Sequence, residues 1–124
     1  MLKVHIKNFG SVAILCLQGR IVSGETAALR KAVDSQSQVT AVVLDLTRVS
    51  TIDAHGLGVL LDLREQLRSK GNAFRLMNVT PLVNHVLQIT RLNTVFETTS
   101  AEKILSAVSQ GRPASALKLV SCPV

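Results

Sequence analysis

Ala41-Val-Val-Leu-Asp-Leu-Thr-Arg-Val-Ser-Thr-Ile-Asp-Ala-His-Gly-Leu-Gly-Val-Leu-Leu61 reads as a buried strand, a tight loop and the capped start of a helix. Ala41 to Leu46 is short, partly β-branched and apolar apart from Asp45, which suits a central strand covered on both faces. Asp45 and Asp53 then stand at the two ends of the predicted loop. Asp53 is the expected N-cap, its carboxylate accepting from the N–H of His55 or Gly56. A helix that begins just after a strand presents free backbone N–H groups to whatever docks there. This helix is expected to run to about Ser69 and to stop at Lys70-Gly71, a cation followed by a left-handed residue. Its apolar positions are Leu57, Val59, Leu60, Leu61, Leu63 and Leu67. At roughly 100° per residue they cover more than half the circumference, wider than one sheet contact requires. The Leu57 and Leu61 edge is therefore expected to meet another neighbour, either a second helix or a partner protein.

Toward the N-terminus, Leu2, Val4 and Ile6 alternate with Lys3, His5 and Lys7, the pattern of a half-buried strand. Asn8 to Ser11 supplies a turn, and Val12 to Leu17 a more buried strand that closes a hairpin and ends at Gly19. Ser23 or Gly24 is expected to begin a helix bearing Ala27, Ala28, Leu29, Ala32 and Val33. Toward the C-terminus, Ala73 to Val79 reads as a strand, and Thr80-Pro81 as the cap and first position of a helix. The inner stripe of that helix is expected at Leu82, Val86 and Ile89, with Val83 and Leu87 beside it. Thr94 to Glu97 reads as a short strand and Ser100 to Val108 as a last helix. The order β-β-α-β-α-β-α-β-α implies an α/β fold with a mixed, mostly parallel sheet and helices packed on it. Residues 1–108 are expected to form one domain and residues 109–124 a mobile tail.

The chain has 124 residues, enough for one sizeable core, and 47% of them are hydrophobic. Only 2% are aromatic, with no Trp or Tyr, so the core must be aliphatic. The net charge is +6, but the basic residues are scattered and no aromatics are interleaved among them to stack bases. This favours an acidic protein partner over nucleic acid. Cys16 lies in an apolar strand pattern and reads as a small core residue; Cys122 lies in the tail. No CxxC or Cys/His ligand spacing occurs, so neither a metal site nor a disulfide framework is expected. The early charges at Lys3 and Lys7 do not resemble a signal peptide, and no apolar run nears the roughly 20 residues that span a bilayer. A cytoplasmic protein without membrane insertion is expected.

Catalysis would require a nucleophile, a base and an orienting group within reach of one another. The candidates are His5, His55, His85, Cys16, Asp45 and Asp53. His5 and His85 have no acidic neighbour at a motif spacing. Asp45 and Asp53 flank one predicted loop and so can be imagined as an acid–base pair, but loop anchoring and helix capping account for them more simply. No phosphate loop of the GxxxxGK type and no GxSxG is present. The chain reads as a binding module, with no enzyme activity and no cofactor.

The order of elements and the central signature, Val42-Val-Leu-Asp-Leu-Thr through Ile52-Asp-x-x-Gly-Leu-Gly-x-Leu60, resemble the STAS domain of bacterial anti-sigma-factor antagonists. Gly19-Arg-Ile, the strand Phe74-Arg-Leu-Met-Asn-Val after Gly71, and Val86-Leu-Gln-Ile-Thr-Arg-Leu with Val95-Phe96 support the likeness over residues 2–108. The resemblance implies a non-enzymatic adaptor that binds a kinase-type (GHKL) anti-sigma factor and thereby regulates transcription. In such antagonists the partner phosphorylates a Ser or Thr just after the loop Asp, and the added charge abolishes docking. Here that residue is Ala54, which has no oxygen to phosphorylate. The resemblance therefore implies a docking surface of Ser50, Thr51, Asp53, Ala54, His55, Gly56, Leu57 and Leu61 that is not gated at position 54. Ser50 and Thr51 are nearby hydroxyls, read chiefly as turn residues. His55, near the positive end of a helix, is expected to be mostly neutral, and either simply exposed or in contact with the partner.

Two other roles fit the same resemblance. One is a STAS subunit of a larger assembly, such as a lipid-transport ATPase complex. The other is a nucleotide- or anion-sensing module that uses the helix start from Asp53 to Gly56. The N-terminal strand leaves a sheet edge guarded by Lys3 and Lys7, so a monomer or weak dimer is expected.

Overall fold

Gly10, at φ 57, takes the first central position of a two-residue loop and folds the chain into its first hairpin. The computed structural model describes residues 2–36 and 38–99. Strands β1 (Lys3–Phe9) and β2 (Val12–Ile21) are followed by α1 (Ala27–Asp34), β3 (Ala41–Ile52), α2 (Ala54–Ser69), β4 (Ala73–Met77) and α3 (Pro81–Ile89). A 3-10 turn at Leu92–Thr94 leads into β5 (Glu97–Thr99). The five strands form one sheet in the order β1-β2-β3-β4-β5. The β1–β2 pair is antiparallel, and β2 through β5 run parallel. This is the expected single α/β domain with a mixed, mostly parallel sheet.

Side chains alternate across the sheet, so each central strand feeds two faces. Ala13, Leu15 and Leu17 of β2, Val42, Leu44 and Leu46 of β3 and Leu76 of β4 join the main core. There they meet Leu29 and Val33 of α1, Leu60, Leu63 and Leu67 of α2, and Val83 and Leu87 of α3. Ile14, Cys16, Val43 and Met77 form a smaller cluster from the intervening positions. Cys16 fills a core position as expected, and its sulfur is in a disulfide, which no cysteine spacing in the sequence anticipates. Phe74 and Phe96 pack with ring centroids 6.3 Å apart. The remaining contacts of the core are aliphatic, as the composition requires.

Several boundaries differ from the sequence reading. The strand expected to stop at Leu46 continues to Ile52, and β2 continues past Gly19 to Ile21. The first helix starts at Ala27 rather than at Ser23 or Gly24. Gly24, at φ 85, belongs to the bend before it, where Glu25 N–H donates to the Val22 carbonyl at 3.0 Å. The last strand is Glu97–Thr99 rather than Thr94 to Glu97, because Arg91 at φ 61 starts a 3-10 turn that occupies the preceding residues. In α3 the expected stripe is reversed. Leu82 and Ile89 are 52% and 67% exposed, whereas Val83 and Leu87 are buried and Val86 packs at the edge of the core. Pro81 at N1 and the Thr80 cap, whose hydroxyl accepts from Val83 N–H at 3.4 Å, mark the helix start as expected. Two i, i+4 rows compete on so apolar a helix, and tertiary packing selects the one through Val83. The helix expected over Ser100 to Val108 and the tail at 109–124 lie outside the described residues.

Candidate functional site

The site is built where β3 hands over to α2. Strand β3 is longer than its alternation suggests because it carries two bulges. Cys16 of β2 faces Asp45 and Gln18 faces Arg48, so β3 gains one residue there; Gly19 faces Val49 and Arg20 faces Thr51, so it gains another at Ser50. The Asp45 carboxylate holds the first bulge by accepting from the Thr47 N–H at 2.9 Å and the Thr47 hydroxyl at 2.5 Å. The Asn78 amide, on a residue at φ 55, reaches the same carboxylate from the end of β4 at 3.4 Å. At the second bulge the Ser50 hydroxyl donates to the Gly19 carbonyl at 3.3 Å. These irregular residues, which read as loop in the sequence, carry the strand on to Ile52 opposite Ile21.

Asp53 then caps α2. Its Oδ1 accepts from Gly56 N–H at 2.8 Å, one of the two donors expected from the sequence. Its Oδ2 accepts from Ser23 N–H at 3.0 Å, a bond from a bend 30 residues earlier that no local pattern predicts. Donation from Ser23 first, and from Gly56 second, favours the ionised carboxylate and holds the Asp53 pKa below its ordinary value; the neighbouring His55 acts in the same direction. Asp53 N–H donates to the Ile21 carbonyl at 3.3 Å, so the first turn of α2 is moored to the ends of both β2 and β3.

Gly56 makes this mooring possible. A Cβ at that position would stand 1.9 Å from the Ile21 carbonyl oxygen. The close approach it allows is therefore to the protein's own β2, and Gly56 is buried rather than presented outward. Leu57 is only 6% exposed and belongs to the main core, and Leu61 is partly buried against it. The apolar excess on α2 thus finds its extra neighbour within the chain. Helix α1 lies alongside, tied by an ion pair from Arg30 to Asp62 at 3.0 Å. The outward-facing part of the predicted surface is narrower than the sequence implied. Ser50, Ala54 and His55 are exposed, Thr51 and Asp53 are half-buried, and Gly56 and Leu57 support them from beneath.

The same geometry removes the acid–base pairing of Asp45 and Asp53. They do not flank one loop; the seven residues from Leu46 to Ile52, mostly extended, separate them by on the order of 20–25 Å. His5 and His85 are exposed on β1 and α3 respectively. Among the described residues, no group of three or more His, Cys, Asp or Glu is placed to hold a metal ion. No helix among them is long and apolar enough to cross a membrane.

Comparison with known proteins bears on this geometry. The STAS domain model matches residues 3–107. A candidate anti-sigma factor antagonist of Bordetella bronchiseptica, BtrV, is 28% identical over 108 residues, covering 86% of this chain and 93% of its own. The unphosphorylated anti-sigma factor antagonist SpoIIAA, a cell-fate determinant of Bacillus, superimposes with a TM-score of 0.72 at 18% identity, covering 90% of this chain and all of SpoIIAA. A sulfate transporter family protein of Wolinella succinogenes superimposes at 0.65 with 22% identity, over 80% of this chain and 85% of the other. These two likenesses are of fold.

Proposed function

Because the chain belongs to the STAS domain family, we propose that it is a protein-binding adaptor of the anti-sigma-factor antagonist type, docking a GHKL-type anti-sigma factor through the start of α2. The observation that carries this reading is Ala54. It is exposed at the first turn of α2, between exposed Ser50 and His55 and above a buried Gly56 seat. SpoIIAA is known in both phosphorylated and unphosphorylated forms. In the present chain the methyl group of Ala54 offers no such modification, so docking at this position is constitutive. Ser50 carries an exposed hydroxyl on the approach to α2, but its hydrogen bond to the Gly19 carbonyl occupies it in the bulge. The proposed contact surface is Ser50, Thr51, Asp53, Ala54 and His55, with Gly56, Leu57 and Leu61 as its support. The similarity to BtrV over most of both chains favours this reading over a transporter-linked one, which rests on a fold likeness alone. The reading also carries a cytoplasmic location, non-enzymatic action and a role in transcription regulation.

The test is affinity capture from the native lysate with the wild-type chain and with Ala54→Glu, followed by binding of the purified prey. Capture of a GHKL-type kinase by the wild type, with affinity reduced about tenfold or more by the introduced carboxylate, supports the reading. Kinase binding that is indifferent to Ala54→Glu removes the α2 start as the docking site. A transporter ATPase as the direct prey replaces the antagonist reading with the assembly-subunit one.

A further inference from the structure

The end of α2 remote from Asp53 bears a second feature. A groove of about 300 Å³ is lined by Arg64 and Arg68 of α2, Asn72 just beyond it, Phe74 and Arg75 of β4, and Glu97 of β5. Arg64 and Arg68 are four residues apart and so share one helical face. Arg75 sits opposite Glu97 in the β4–β5 register and pairs with it at 3.4 Å. Among the described residues, neither Arg64 nor Arg68 has an ion-pair partner. Three guanidinium groups thus face one groove with a single carboxylate among them. Each is permanently charged and offers a planar fork of N–H donors matched to an oxyanion. Their mutual repulsion is relieved by an anion that carries more than one charge.

The size of the groove narrows the choice of occupant. It lies at the small end of the range for small-molecule sites and concentrates its charge at one place, which suits a compact polyvalent anion better than an extended acidic peptide. We propose that this groove binds a small phosphorylated ligand, its phosphate oxygens held by Arg64, Arg68 and Arg75, with Glu97 as the internal competitor for Arg75. The site is separate from the α2 start and does not depend on the anti-sigma-factor reading.

Isothermal titration of the full chain with inorganic pyrophosphate, at low and at moderate salt, tests the proposal. The native chain is expected to bind, and Arg64→Gln with Arg68→Gln to weaken binding by about tenfold or more, as the loss of charge-assisted hydrogen bonds requires. Glu97→Gln is expected to tighten binding by about two- to fivefold, because it frees Arg75 and removes a like charge from the ligand's surroundings. A merely structural role for this exposed carboxylate would not produce that gain. Lys3→Gln with Lys31→Gln removes the same two charges elsewhere and is expected to change affinity by less than about twofold. Thermal melts of each variant verify folding. The proposal is overturned if pyrophosphate does not bind, if the lysine pair weakens binding as much as the arginine pair, or if Glu97→Gln gives no gain. A phosphoserine peptide that binds the arginines when pyrophosphate does not would assign the groove to a protein partner and also overturn it.

Discussion

Two glycines two positions apart in α2 have opposite roles. Gly56 lies against the Ile21 carbonyl, whereas a Cβ on Gly58 would have no atom within 4 Å. Gly56→Ala must therefore displace either the helix start or the end of β2. The helix-propensity gain of about 1 kcal/mol is outweighed by overpacking of about 1–3 kcal/mol or more against backbone that cannot rotate away. Gly58→Ala has no such cost and is expected to stabilise the protein by about 0.5–1 kcal/mol. Urea denaturation of the two variants checks the contrast, and equal effects would contradict the close approach at Ile21. Asp53 adds a pH dependence. Its folded pKa lies below the unfolded value near 3.8, so the ionised cap contributes stability above that value and loses it as pH falls through the lower folded value. Asp53→Asn keeps a capping oxygen but does not titrate. The melting temperature of the wild type is expected to exceed that of the variant most at pH values well above the unfolded carboxylate value of 3.8, with the gap closing as pH falls below it. A gap that widens with acid would reverse the assignment of Asp53 as the charged cap.

At the scale of elements, legibility follows the regularity of the hydrogen-bond pattern. The N-cap at Asp53, the stop at Lys70-Gly71 and the Thr80-Pro81 start were readable because each rests on local chemistry within a few residues. The second half of β3 was not. From Leu46 to Ile52 the burial runs buried, exposed, exposed, buried, exposed, half-buried, buried, so neither period 2 nor a continuous apolar run survives the bulges. Asp45 stabilises this irregularity from a position 2% exposed, and its acceptor role spans Thr47 and Asn78. Asp45→Ala leaves those donors without their carboxylate in a part-buried setting. It is expected to cost about 2–4 kcal/mol, more than one ordinary hydrogen bond, and to be non-additive with Thr47→Ala. A double-mutant cycle by chemical denaturation measures both. If Asp45→Ala proves neutral, the bulge is held by backbone pairing alone. The reversed stripe of α3 has a different cause: Leu82, Val83, Val86, Leu87 and Ile89 offer two competing apolar rows, and only the neighbouring elements choose between them.

At the scale of the whole molecule, the sheet and α2 separate two surfaces that the linear sequence does not resolve. The basic residues look scattered along the chain, and only the packing of α2 beside β4 and β5 gathers Arg64, Arg68 and Arg75 around one groove. The α2 start is likewise assembled from remote pieces, since Ser23 and Ile21 reach it only through the parallel pairing of β2 and β3. Along α2, Ala54 and Arg68 are 14 residues apart, about 21 Å at the helical rise. Between them the helix is anchored by Leu57, Leu60, Leu63 and Leu67 in one continuous core. Among the described residues the stretch between the two ends is one unbroken helix on that core, and sites more than about 10 Å apart without shared partners are expected to act independently. Ala54→Glu should therefore reduce partner binding and leave pyrophosphate affinity unchanged within about twofold, whereas the Arg64→Gln, Arg68→Gln pair should do the reverse. Titrating pyrophosphate into the protein–partner complex extends the test, because any coupling must appear equally in both binding constants. Equal affinities for free and complexed protein would establish two independent surfaces. A reciprocal change would mean instead that the partner reaches along α2 to the arginine groove, or that ligand binding there alters the cap at Asp53.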